Sequence, residues 1–293
     1  GRLPDDMGPL AQYISGKSGG LGDVISALCE GLTERGIECR LSTLNLSRRF
    51  QRENGLNDDQ WRRITNTVDP DRIHLVSSAL FENLPDAYAG NPVQNAAEFQ
   101  KTMVNQIIPR IRAKNGGRLI IHSHDWMAGG IITAYAKVQE CPVLHTLHNV
   151  HTGCIPFDLL FGVDTGRLSD CLYCRADRGK PTIDCQATAI KNASLVNFVG
   201  ERFLREIVDG HFADRPIINP GIRQEVRLKY HLGETRAILN APARNMYPEY
   251  SAHLVRRYGP GDDVMAAKRE NLVEFQKLTG LIVNPESILL YWP

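Results

Sequence analysis

Between Leu10 and Leu41 an apolar stretch, a glycine-rich turn, an apolar-striped helix and a second apolar stretch follow one another. That order admits few folds. Leu10 to Ser15 predicts a strand, and Gly16-Lys17-Ser18-Gly19-Gly20-Leu21-Gly22-Asp23 a turn. Val24, Leu28 and Leu32 then recur at i, i+4 and i+8, with Ile25 and Cys29 widening the stripe of a helix. Gly36 suits a left-handed helix end, and Ile37 to Leu41 predicts the next strand. Strand, turn, helix and strand within about thirty residues is a βαβ unit, whose crossover makes the strands parallel.

The alternation continues. Strands are predicted at Ile73–Val76, Arg118–His122, Val143–Leu147 and Leu195–Val199, and short ones at Pro216–Ile218 and Ala237–Asn240. Helices are predicted at Ala96–Ala113, Met127–Val138, Ala187–Ala193 and Glu201–Val208, with a turn-rich excursion from Cys154 to Asp184. The expected fold is α/β: a Rossmann-like, doubly wound, mostly parallel sheet, with its ligand site at the carboxyl ends of the strands. Met265 to Leu278 reads as a further helix, and Ser287 to Trp292 as a strand with no partner in sequence order. The expected division is therefore a domain over 1–260, then a linking helix and the first strand of a second domain over 261–293.

Charge narrows the partners. Lys and Arg number 34 against 33 Asp and Glu, so no global field draws nucleic acid or an anionic membrane. No apolar run approaches the ~18 residues of a membrane span, and the expected setting is cytoplasmic. Seven cysteines in 293 residues fit reduced thiols better than a disulfide framework.

Glycines after a strand and before a helix let bare amides approach a phosphate at the positive end of the helix dipole. Three cradles compete in this turn. A dinucleotide fingerprint starting at Gly20 would need a small residue where Ile25 stands, and a P-loop over Ala11 to Ser18 lacks its first glycine. A nucleotide-sugar cradle would use Lys17 with Gly19 and Gly20. A plain tight turn with a solvated lysine is the bland reading. Downstream, His124-Asp125-Trp126 ends a strand; it is either a polar site or a structural histidine followed by Asp125 as a helix N-cap.

Lys17 to Val24 resembles the K-[TS]-G-G-L-G-D-V loop of bacterial glycogen and starch synthases. The resemblance recurs in order. His122-Ser123-His124-Asp125-Trp126 is similar to their H-x-H-D-W-H motif and Thr146-Leu147-His148-Asn149 to T-x-H-N. Ile238-Leu239-Asn240 is similar to I-L-N-G, and Lys268 to Leu281 to the helix before their second domain. The resemblance implies the N-terminal, acceptor-side half of a two-domain GT-B glycosyltransferase. Such an enzyme moves glucose with retention from ADP-glucose or UDP-glucose to an α-1,4-glucan and needs no catalytic cofactor. It implies Lys17 on the donor's distal phosphate beside the amides of Gly19 and Gly20, and Asp23 facing the cleft. His124 would bond the transferred glucose and its developing charge, and Asn240 would line the same cleft. The family's donor clamp lies in the second domain, so this chain is expected to be inactive alone. A phosphorylase-like α-glucan enzyme has a similar glycine loop. A non-catalytic glucan-binding relative would accommodate Met127 in place of the motif's last histidine and Ala241-Pro242-Ala243 after Asn240.

A second cluster is independent of that family. Cys171-Leu172-Tyr173-Cys174 gives a C-x-x-C turn, with Cys154 and Cys185 flanking it and Arg175, Arg178 and Lys180 nearby. Four thiolates from such loops would make a structural zinc site; unbound reduced cysteines, or less readily an iron–sulfur cluster, are the alternatives. Cys29, Cys39 and Cys141 sit in helix or strand patterns as small core residues.

Overall fold

Parallel strands must be joined by crossovers, and a computed structural model describing residues 19–66, 71–177, 179–211, 217–241 and 247–290 has that architecture. The first predicted strand and Lys17 lie outside the described residues. Helix α1 (Gly19–Glu34) ends at Gly36, whose φ of 76° is the left-handed conformation expected there. β1 (Leu41–Leu44), α2 (Ser47–Glu53), α3 (Asp58–Asn66) and β2 (Ile73–Val76) follow, with β1 and β2 paired in parallel. Next comes α4 (Pro92–Thr102), opened by the Asn91 side chain accepting from the Gln94 amide. It runs through a π-helical turn, Met103–Ile107, into α5 (Ile108–Lys114). Pro109 accounts for the widening: it has no N–H, and its ring excludes the carbonyl four residues back.

β3 (Ile121–His124), a 3-10 turn at Trp126–Ala128, α6 (Gly130–Val138) and β4 (Val143–Leu147) form the next crossover. The excursion is β5 (Cys154–Pro156), β6 (Cys174–Asp177) and β7 (Lys180–Asp184). After it come α7 (Cys185–Asn192), β8 (Leu195–Phe198), α8 (Glu201–Val208), α9 (Pro220–His231), β9 (Thr235–Ala237) and α10 (Val264–Thr279). The principal sheet has the order β3-β4-β8-β9, all parallel; β5-β7-β6 is a separate antiparallel sheet.

Register decides which side chains share a face, because residues alternate across a strand. Ser123 stands opposite His145, and His145 opposite Val196. That face carries Val143, Leu147, Val196 and Phe198 into a core with Ala187, Ile190 and Ile222 of the overlying helices. His122, His124, Thr146 and Asn197 therefore belong to the other face. Small residues let α6 and α7 approach closely: a Cβ added at Gly129 would sit 2.8 Å from both the Ala189 Cβ and the Cys185 carbonyl oxygen. A Cβ at Gly153 would run into the Trp126 ring.

Several predicted elements move. The second strand begins at Leu41 rather than Ile37, where the Leu41 amide first meets the Arg72 carbonyl at 2.7 Å. The strand predicted at Arg118–His122 shifts to Ile121–His124. Gly116 and Gly117, both at positive φ, spend the preceding residues on a turn. The excursion is not mere turns. Its strands, Cys-Arg-Ala-Asp and Lys-Pro-Thr-Ile-Asp, lack the apolar alternation that would announce them. α9 occupies a stretch with no predicted helix, opened by Asn219 as N-cap with Pro220 at the first helical position. Ile217 and Ile218, and residues 287–290 at the far end, form no strand. No helix among the described residues is long and apolar enough to cross a membrane.

Candidate active site at the carboxyl edge of the parallel sheet

Polar side chains collect where β3, β4 and β8 end. His124 closes β3, and the chain turns at Asp125 with φ 51° and ψ −176°. A positive φ at a residue with a Cβ costs about 1–3 kcal/mol, so the surroundings must hold it. They do. The Asp125 amide donates to the Thr146 carbonyl at 3.0 Å. One carboxylate oxygen accepts from the His148 amide at 2.9 Å and the Asn149 amide at 3.4 Å, and the other from Asn149 Nδ2 at 3.1 Å. Asp125 is thus no N-cap: its side chain makes no cap bond to the turn that follows, and instead straps the end of β3 to the end of β4. It is buried. Burial raises its proton affinity, while the bonds from His148 and Asn149 work the other way.

Three imidazoles gather above the strap. His124 Nδ1 lies 3.1 Å from His148 Nε2, and the His122 ring lies against His124 with centroids 4.1 Å apart. His122 Nε2 meets Thr146 Oγ1 at 2.8 Å. The same hydroxyl accepts from Asn197 Nδ2 at 3.4 Å, and Asn197 Oδ1 receives the Ile238 amide at 3.1 Å. A polar row thus crosses the sheet from β3 to the residue after β9. On the opposite face His145 Nδ1 bonds Ser123 Oγ at 2.8 Å, while its buried Nε2 has no partner among the described residues.

Burial sets the protonation of this group. Desolvation, reinforced by the neighbouring histidines, pushes His124 down to about 2, His122 to about 4 and His145 to about 3. His148 is also lowered by burial, against the pull of Asp125. These rings stay neutral near pH 7. His124 can therefore donate a hydrogen bond to a hydroxyl or an oxyanion, or accept one from a hydroxyl, but it is poorly matched to a proton-transfer role.

The other expected site residues are placed as follows. Gly19 and Gly20 open α1, so their amides belong to its unpaired first turn. Lys17 and the side chain of Asp23 lie outside the described residues. Asn240 is exposed, just past β9 and three strand spacings, or about 14 Å, from the β3 edge. His122, Thr146, His148, Asn149 and Asn197 join the cluster without having been singled out as site residues. Their signal is polar residues at the last positions of otherwise apolar strands.

The four cysteines are not brought together as a zinc site. Cys154 stands opposite Asp184 and Cys174 opposite Ile183, and these neighbours on β7 point to opposite faces. Cys185 is buried with Gln100 beside its sulfur, and burial drives its thiol far up, against thiolate formation. Cys154 Sγ accepts from Arg175 Nε at 2.9 Å. Among the described residues no group of three or more His, Cys, Asp or Glu is arranged to hold a metal. The arrangement of these cysteines, rather than their chemistry, is what does not fit zinc.

Comparison with curated proteins finds no match. Among solved structures the chain is similar to the catalytic domain of starch synthase IV from Arabidopsis thaliana bound to ADP and acarbose. The TM-score is 0.61 and the identity 18%, over 90% of this chain and 57% of that one. The likeness is one of fold, and this chain spans little more than half the length of that structure. Residues 11–216, which contain the histidine cluster and its strap, match the family described as the starch synthase catalytic domain, and the chain belongs to that family.

Proposed function

We propose that this chain is the acceptor-side half of a retaining glucosyltransferase of the glycogen and starch synthase type. It would help transfer glucose from a nucleotide-glucose donor to the end of an α-1,4-glucan. The observation that carries the reading is the rigid, neutral polar cluster at the sheet's carboxyl edge, inside the segment that matches the family. Groups fixed on strand ends can be aimed at charge that develops only in the transition state, and a neutral imidazole held by a strap is such a group.

In this reading His124 bonds the transferred sugar. Lys17 with the amides of Gly19 and Gly20 faces the donor's distal phosphate, and Asp23 and Asn240 line the cleft. The related structure is described as binding ADP and acarbose, a nucleoside diphosphate and an oligosaccharide mimic, which supports the same two ligand classes here. The donor is ADP-glucose or UDP-glucose, the setting is the cytoplasm, and no catalytic cofactor is used. Residues 1–260 form the N-terminal domain, and 261–293 lead toward a donor-binding domain. Because preorganisation needs groups on both sides of the donor, the chain alone binds without turning over.

Electrophoresis of the purified chain through gels cast with glycogen, with titration of ADP-glucose and UDP-glucose alongside, tests the reading. Retardation by glycogen, and nucleotide-glucose binding that His124→Ala weakens, are the expected results. A chain that binds neither glucan nor nucleotide sugar refutes the reading, and glucose transfer by the chain alone refutes the two-sided division.

A further inference from the structure

Two of the rings at the sheet edge meet head on. His124 Nδ1 and His148 Nε2 are 3.1 Å apart while the ring centroids are 5.4 Å apart. That separation is close to the N···N distance plus the two centre-to-nitrogen radii. Both nitrogens therefore lie on the line of centres, as in a straight, in-plane hydrogen bond. Such a contact holds one proton: two would clash, and two bare lone pairs would repel. The tautomers of the neutral rings are thereby locked together, with both protons on Nε2 or both on Nδ1.

The intrinsic stability of the tautomers chooses between these. The Nε2–H form is the intrinsically preferred tautomer of a neutral histidine side chain, and here one arrangement supplies it to both rings. Asp125 holds the main chain of His148, accepting from its amide at 2.9 Å, and so fixes where that ring stands. His122 lies against His124 and is itself tied to Thr146, which fixes the plane of the middle ring. The hydrogen bond of the His124 ring among the described residues uses Nδ1, which leaves Nε2 for a ligand.

We propose that His148 is a positioning residue for His124: His148 Nε2–H donates to His124 Nδ1 and holds His124 as the Nε2–H tautomer, presenting that N–H to a ligand oxygen. The ligand oxygen is a hydroxyl of the sugar, and this part rests on the transferase reading; the tautomer lock does not. Asp125 grips His148 by its main chain, so replacing the ring leaves the strap in place.

Long-range proton–nitrogen correlation spectra of the nitrogen-15-labelled chain at neutral pH read both tautomers directly. The expected spectrum shows His124 with a bare Nδ1 and both rings protonated at Nε2. His148→Gln, whose amide can donate across a similar reach, keeps that state of His124, whereas His148→Leu releases it to a mixture of tautomers. His124 protonated at Nδ1 in the unaltered chain overturns the proposal, as does an unchanged His124 in His148→Leu. If the leucine variant does not fold, the unaltered chain and the glutamine variant decide. Nucleotide-sugar binding should weaken about five- to tenfold in His148→Leu, the loss of one hydrogen bond, and recover in His148→Gln. Unweakened binding in the leucine variant refutes the positioning role. A chain that binds no such ligand at all sinks the transferase reading, and the role with it, while the spectra still judge the lock.

Discussion

Lowering the pH should unfold this protein through its buried histidines before most carboxylates titrate. In the fold His122, His145 and His124 hold values of about 4, 3 and 2, against about 6.5 in an unfolded chain. Below about pH 6.5 the unfolded chain takes up protons that the fold refuses, so stability falls as pH falls. The stabilisation is whole above the unfolded value and is lost progressively toward the folded ones. Each such group costs about 1.4 kcal/mol per pH unit once the unfolded form is protonated, or about 2 kcal/mol between pH 7 and pH 5. Three together remove about 6 kcal/mol, comparable with the whole stability of a marginal domain. Urea unfolding followed by tryptophan fluorescence at half-unit pH steps would show a slope of about three protons near pH 5. His145→Leu isolates the effect, because that ring sits on the helix-covered face away from the cluster; it should remove about one proton from the slope. A stability that stays flat from pH 7 to pH 5, or a slope untouched by that substitution, would refute the reasoning.

Three other outcomes follow from the geometry. Asp125→Ala should cost about 2–4 kcal/mol, because the left-handed backbone remains while its bonds are lost; Asp125→Gly, freed of the φ penalty, should be about 1 kcal/mol less destabilised in urea melts. Gly129→Ala should cost about 1–3 kcal/mol through collision with Ala189 and the Cys185 carbonyl, visible as a lower thermal midpoint. Cys174 is exposed, so Cys174→Ser should change stability by less than about 0.5 kcal/mol, and elemental analysis should find no stoichiometric zinc to lose. Stoichiometric zinc released by that substitution would contradict the opposite-face register.

What could be read before the fold was known depended on which forces were local. Val143–Leu147 and Ile73–Val76 occur where predicted because an apolar strand between turns has few alternatives. Glu201–Val208 does so because its stripe has helical spacing. β6 and β7 escaped because β6 is largely exposed while β7 buries Thr182, Ile183 and Asp184 in succession, so neither strand shows the apolar alternation of a half-buried one. α9 escaped because its signal is the Asn219-Pro220 start rather than a long stripe. The site divided similarly. His124 and Asp125 are marked by their motif, but the role of Asp125 depends on amides 23 and 24 residues away, which no local pattern announces. The cysteine spacing misled for the complementary reason. C-x-x-C describes a turn, while here the second cysteine begins a strand whose register turns it from Cys154.

The tie between Asp125 and the turn at His148 and Asn149 has a mechanical consequence. Two connections that would otherwise fray separately are coupled into one stiff rim. An incoming molecule meets a surface already ordered, surrenders little affinity to freezing it, and cannot widen the opening by pushing on one side. Any movement that admits or releases cargo must then come from parts of the molecule beyond this rim.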